Sequence, residues 1–125
     1  MMQRRLLVLD DDPTVAQILQ MGAQSLGFDT RLCLSAAEFH PLQRDWQPSH
    51  VVLDLALPDA GIGQVLERLA ADGCRARLLV CSGASLGEIE AALDQARARG
   101  LLLAGNGALP KPFRLAQLRQ LLAAG

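Results

Sequence analysis

Residues 6–12 read LLVLDDD, and two later stretches answer them: HVVLDL at 50–55 and LPKPF at 109–113. The first is a short apolar run closed by Asp10, Asp11 and Asp12. The second is another such run closed by Asp54, and Lys111 stands between prolines in the third. If the apolar runs are parallel strands, their C-terminal ends share one edge of a sheet, the edge at which open α/β proteins build their sites. The acids and the lysine then converge. Carboxylates gathered this way repel one another, so such a cluster is usually held by a cation, and hard oxygen ligands suit magnesium.

Working outward, short apolar runs alternate with segments of helical period, which predicts a parallel sheet wrapped by helices on both faces. Five strand and helix units fit. The first strand is expected at Arg4 to Leu9, followed by a helix with Val15, Ile18, Leu19, Gly22 and Leu26 on its inner face and Gly27 as its end. The second strand, Phe28 to Leu34, leads into Ser35-Ala-Ala-Glu38, a capping box opening a helix that Pro41 is expected to kink or delay. The third strand is His50 to Leu55. After the turn Pro58-Asp59-Ala60-Gly61 comes a helix near Gly63 to Ala71, with Val65, Leu66 and Leu69 facing inward. The fourth strand, Leu78 to Cys81, stops at Ser82-Gly83. A second capping box, Ser85 to Glu88, starts a helix whose stripe is Ile89, Ala92, Leu93 and Ala96 and which ends near Gly100. The last strand falls within Leu101 to Leu109, where two glycines and an asparagine predict a turn or bulge. The final helix, Arg114 to about Ala123, is expected to pack Leu115, Leu118, Leu121 and Leu122.

Composition narrows the function. The chain has 125 residues, 50% of them apolar, and a formal net charge of -1. That is the length of one ordinary domain, so residues 1–125 are read as a single unit. The arginines are scattered along the sequence, and aromatic residues make up only 3%, which argues against nucleic-acid binding by this domain. The apolar stretch Leu6 to Leu9 is too short for a signal-peptide core, and no run has membrane-spanning length, so a cytoplasmic location is expected with no membrane partner. Cys33, Cys74 and Cys81 lack metal or redox spacing and read as reduced packing residues. His40 and His50 also lack ligand spacing and are assigned to structure or solvent.

Each residue at the supposed edge suits a different task. A carboxylate accepts a phosphoryl group to form an acyl phosphate if the incoming charge is neutralised. Asp54 is the candidate nucleophile, Asp11 and Asp12 offer metal ligands, Lys111 offers a point charge and Ser82 a hydroxyl. Singly, each has an ordinary explanation. Asp12-Pro13-Thr14 suits a helix N-cap, and Asp54, Ser82 and Lys111 would pass as turn or loop residues. Taken in order, four strand ends carry acid pair, acid, hydroxyl and lysine.

On these residues the sequence resembles the receiver domain of bacterial two-component response regulators over essentially its whole length. The resemblance implies a flavodoxin-like (βα)5 fold with strand order 2-1-3-4-5. It also implies a signalling module rather than an enzyme, whose only chemistry is its own phosphorylation and dephosphorylation. By resemblance Asp54 is the phospho-acceptor, and Ser82 and Lys111 complete the reacting set. Magnesium is held by Asp11, Asp54 and the backbone carbonyl of Ala56, with Asp10 more distant. The Lys111-Pro112 bond is expected to be cis. Implied partners are a sensor histidine kinase or phosphotransfer protein, an unknown output domain or protein, and a second copy through the fourth and fifth helices. The stretches RGLLLAGNGALPKPF and WQPSHVVLDLALPDA look more like receivers joined to EAL-type cyclic-dinucleotide phosphodiesterases.

Two departures bear on mechanism. Ala108 stands where many receivers carry a Tyr or Phe that swings inward on phosphorylation, and Gly61-Ile62 alters the third loop, so the start of the third helix is expected to deviate. A phosphate-independent interaction module is therefore one alternative. Another is a haloacid-dehalogenase-type phosphatase, because Asp10 to Thr14 satisfies D-x-D-x-T with Asp10 as nucleophile. That family needs an acidic motif after its lysine, and nothing between Pro112 and Gly125 is Asp or Glu.

Overall fold

Leu6 and Val8 point to one face of a sheet and Leu7 and Leu9 to the other, and all four are fully buried. A strand apolar on both faces must be covered on both. A computed structural model describes residues 3–124 and shows how. Five strands, β1 (Arg5–Leu9), β2 (Asp29–Cys33), β3 (His50–Leu53), β4 (Arg77–Ser82) and β5 (Leu102–Pro110), alternate with α1 (Pro13–Gln24), α2 (Ala36–Trp46), α3 (Ile62–Ala71), α4 (Leu86–Ala98) and α5 (Leu115–Ala124). All paired strands are parallel, in the order 2-1-3-4-5.

The two layers of core follow from the alternation. Leu7, Leu9, Val51, Leu53 and Leu78 pack with Phe39 of α2 and Val65, Leu66 and Leu69 of α3. Leu6, Val8, Val52, Leu79 and Cys81 pack with Ala16 and Leu19 of α1 and Leu118 and Leu122 of α5. Each such aliphatic side chain contributes about 1.5–3 kcal/mol on full burial. Gly22 lets α1 and α5 approach closely, since a Cβ there would lie 2.8 Å from a Leu118 methyl.

Four expectations need correction. Pro41 lies inside α2, which runs unbroken from Ala36 to Trp46, so it does not delay the helix. Proline removes a single hydrogen bond, to the carbonyl four residues back. Here that residue is the exposed Ala37, whose carbonyl is free to meet water. Ile18, placed on the inner face, is 42% exposed, because the buried stripe of α1 is Ala16, Leu19, Gly22 and Ala23. Leu115 packs only in part: it is 37% exposed at the first turn of α5, while its Cδ2 lies against Gly22 of α1, 3.0 Å from where a Cβ would stand. The third strand ends at Leu53 rather than Leu55, where the chain turns so that Asp54 caps the edge.

The expected irregularity in the last strand is a bulge. Leu78 pairs with Leu103 and Val80 with Ala108, so five steps along β5 answer two along β4. Gly105 and Gly107 take positive φ there, a region open to glycine at little cost. The third helix starts at Ile62, where the Gln64 side chain accepts a hydrogen bond from the Gly61 N–H.

Candidate functional site

At the C-terminal edge of β1 and β3 the chain places Asp10, Asp11 and Asp54 with one carboxylate oxygen from each within 4.8 Å of the others. The sheet register makes this unavoidable: Leu9 pairs with Leu53, so the next residue on each strand shares the edge. Asp10 and Asp54 are almost fully buried, while Asp11 is exposed. Lys111 arrives from the end of β5. Its Nζ donates to Asp10 Oδ2 at 3.0 Å and lies 3.5 Å from Asp54 Oδ2. The Lys111-Pro112 peptide bond is cis, as the resemblance implies.

Backbone amides orient the carboxylates. Asp10 Oδ1 accepts from the Asp12 N–H at 2.9 Å, and Asp54 Oδ1 accepts from the Ala56 N–H at 3.2 Å. Asp12 does something different. It is the N-cap of α1, accepting from the N–H groups of Thr14 and Val15, the placement that best satisfies a helix start. Asp12 is therefore outside the carboxylate cluster, and the capping role also occupies the group that a D-x-D-x-T phosphatase would use as its acid and base.

Burial pushes the Asp10 carboxyl above the usual carboxylate range, against the opposing pull of the Asp12 N–H and Lys111. Burial also pulls on Lys111, downward, but its hydrogen bond to Asp10 and the charges of Asp10 and Asp54 outweigh this and hold the ammonium above the ordinary lysine value. Lysine 111 is thus fully charged near neutrality. Three acids against one lysine leave an excess of negative charge that suits a divalent cation, and the donor set is all hard oxygen. The residues present fit magnesium.

Ser82, the last residue of β4, is buried, and its Oγ accepts from the Ala84 N–H at 3.1 Å. The Lys111 N–H donates to the Ser82 carbonyl at 2.8 Å, which ties the lysine loop to the β4 end. Beside the acids, Val15, Ile18, Lys111, Pro112 and Phe113 border an open groove of about 390 Å³. The three cysteines are free thiols. Burial pushes Cys33 up to about 11 and Cys81 up to about 12, which suits packing residues. One site-shaping residue escaped the sequence reading. Asp59, in the loop after β3, accepts from the N–H groups of Ala36 and Ala37 and so fastens that loop to the start of α2. Its only sequence signal was its place in a Pro-Asp turn, which many solvated aspartates share.

The fold and this edge define a class: the chain is a response-regulator receiver domain. No family model matches it. It is 30% identical over 122 residues to the DNA-binding dual master transcriptional regulator RpaA of Synechocystis, covering 94% of this chain and 48% of the regulator. Over 71 residues it is 37% identical to the DNA-binding response regulator MtrA of Mycolicibacterium smegmatis, covering 57% of this chain and 31% of that one. The chain spans half or less of the length of these relatives. Among solved structures, a Francisella response regulator receiver domain superposes with a TM-score of 0.80 at 20% identity, covering 97% of this chain and 94% of that one. A Burkholderia pseudomallei response regulator with a phosphorylated aspartic acid, calcium ion and citrate gives a TM-score of 0.75 at 25% identity, covering 96% and 66%. The receiver domain of a Pseudomonas aeruginosa sensor histidine kinase, with magnesium in its active site cleft, gives 0.77 at 19% identity, covering 97% and 95%. The narrower likeness to receivers joined to EAL-type phosphodiesterases finds no support in these matches.

Proposed function

We propose that residues 1–125 form one receiver unit that takes a phosphoryl group onto Asp54 from a phosphohistidine of a sensor kinase or phosphotransfer protein in the cytoplasm. The observation that carries this is the buried Asp54 carboxylate with the Lys111 ammonium 3.5 Å away. An Asp54 oxygen attacks phosphorus, the P–N bond of the donor breaks, and its electron pair leaves on the imidazole nitrogen. The product is an acyl phosphate. Asp11, Asp54 and the Ala56 carbonyl would hold magnesium, with Asp10 behind them, and the bound ion supplies positive charge for the phosphoryl oxygens.

The chain's own residues do the remainder. Lys111 pairs with both buried acids at rest and reaches a phosphoryl oxygen afterwards, a contact made only in the modified state. Ser82, whose Oγ accepts from the Ala84 N–H, donates its own hydroxyl hydrogen to another phosphoryl oxygen. Both changes bias the loop from Ser82 to Ser85 and the face of α4, β5 and α5, where an output domain or a second copy would read them. The groove of Val15, Ile18, Pro112 and Phe113 gives the phosphohistidine donor an apolar seat beside the carboxylates. The Asp54 assignment is tested by borohydride reduction of the phosphorylated chain, which converts an acyl phosphate to an alcohol. Peptide mapping is expected to find homoserine at residue 54. Homoserine at Asp10 or Asp11 would contradict the assignment.

A further inference from the structure

The opposite, N-terminal edge of the sheet holds a second concentration of polar groups. There the chain encloses a cleft of about 700 Å³ between the ends of α2 and α3, bordered by Arg5, Gln43, Arg44, Gln47, Asp72 and Arg75 among others. Its volume is that of a small-molecule site. The arginines that look scattered in the sequence are gathered by the fold. Arg5 at the start of β1, Arg44 in the last turn of α2 and Arg75 just before β4 come to one opening.

Three features separate this cleft from an ordinary surface dent. Arg5 spends one hydrogen bond on the Trp46 carbonyl, at 2.7 Å, and so closes the C-terminus of α2. Among the described residues its other donors make no hydrogen bond, though the guanidinium lies over the Trp46 ring at 5.6 Å, and the exposed Arg44 and Arg75 guanidiniums make no hydrogen bond or ion pair. Helix ends alone need no such surplus of cations, and the one acid on the wall, Asp72, has its Oδ2 3.4 Å from Arg68 Nε, an ion pair without a hydrogen bond. Second, Gln43 is 94% buried, being 6% exposed, yet its Oε1 has no partner. An orphaned buried acceptor costs about 1–3 kcal/mol, so it calls for a donor. Third, Gln47 on the rim has φ 52, the one positive φ outside glycine among the described residues. Glycine is the ordinary choice just past a helix end; here an amide is kept in its place.

Free guanidinium forks suit a phosphate, which they bind in paired hydrogen bonds, and the Gln43 acceptor asks for a hydroxyl or amino group on the same molecule. We propose that this cleft binds a small organic phosphate that also carries a hydrogen-bond donor, the chemistry of a nucleoside monophosphate. Arg44 and Arg75 hold the phosphate, Arg5 backs them, and Gln43 meets the donor. The site lies at the far end of the strands from Asp54 and does not depend on phosphoryl uptake there.

The test is an NMR titration of the full chain, without magnesium, with adenosine monophosphate and in parallel with inorganic phosphate. Saturable shifts are expected in the Gln43 side-chain amide and the backbone of Gly73 and Arg75, with adenosine monophosphate binding at least tenfold tighter than inorganic phosphate. The double variant Arg44→Ala, Arg75→Ala is expected to weaken binding at least tenfold while its melting temperature and its phosphoryl uptake at Asp54 match wild type. Absence of saturable shifts, equal affinity for the two probes, or indifference to the double variant would each overturn the proposal.

Discussion

Lys111 shows how one residue joins fold to function. It is the counter-charge for two buried carboxylates, and its own N–H holds the end of β4. Its importance was legible in LPKPF, because a lysine fixed between prolines after an apolar run has few places to go. His50 was harder to read. The histidine carried no ligand spacing, yet it is 6% exposed, edge-on to Phe28, with Nδ1 against Ser49 Oγ and Nε2 unpartnered. Burial, with the nearby Arg77 and Arg4 charges adding to it, pulls its pKa down to about 4 from 6.5. Between those values the unfolded chain takes up a proton that the folded chain refuses, so stability falls as pH drops through that window. The loss approaches about 3 kcal/mol once pH is below the folded value. Urea melts of wild type and His50→Phe near neutral pH and at pH about 5 test this. Wild type should lose stability on acidification by more than the variant does; parallel losses would remove His50 as the cause.

Among the elements, helices with clear stripes were the most readable, and β5 the least. Val65, Leu66 and Leu69, and Ile89, Ala92, Leu93 and Ala96, sit inside as their spacing requires. Ile18 misled because α1 rests on a narrow stripe of small residues, Ala16, Gly22 and Ala23, with Leu19. The glycines of AGNG signalled a break in β5 but not its size. In the structure Gly107, with φ 78, packs so tightly that a Cβ would lie 2.7 Å from a Leu93 methyl. Gly107→Ala should therefore destabilise the fold by about 1–2 kcal/mol from backbone conformation alone, read as a lower midpoint of thermal or urea unfolding. An unchanged midpoint would mean the bulge relaxes freely. Next to it, the half-buried Ala108 packs against the cluster of Val80, Ile89, Ala92 and Leu93, and an alanine has no ring to swing. Repacking of this cluster is the expected route of signal transmission. Ala108→Tyr is expected to enlarge the phosphorylation-dependent chemical-shift changes on α4, β5 and α5; identical changes in both proteins would count against that route.

For the molecule as a whole, the sheet order is what turns separated motifs into a site. Strand order 2-1-3-4-5 puts β1 beside β3 and carries Lys111 back over them, so Asp10, Asp11, Asp54 and Lys111 meet although 101 positions separate the first from the last. That convergence could be anticipated from apolar runs ending in charged residues, because parallel strands present their ends together. The gathering of arginines at the opposite edge could not, since it depends on where α2 and α3 end and on how the strands begin. No helix among the described residues is long and apolar enough to cross a membrane. Phosphoryl uptake on Asp54 at this edge is read out by intact-mass spectrometry of wild type and Asp54→Ala incubated with acetyl phosphate, with and without magnesium. A gain of one phosphoryl group is expected in wild type, requiring magnesium and absent from Asp54→Ala. No gain under any condition, or a gain that survives in Asp54→Ala, would contradict uptake on Asp54.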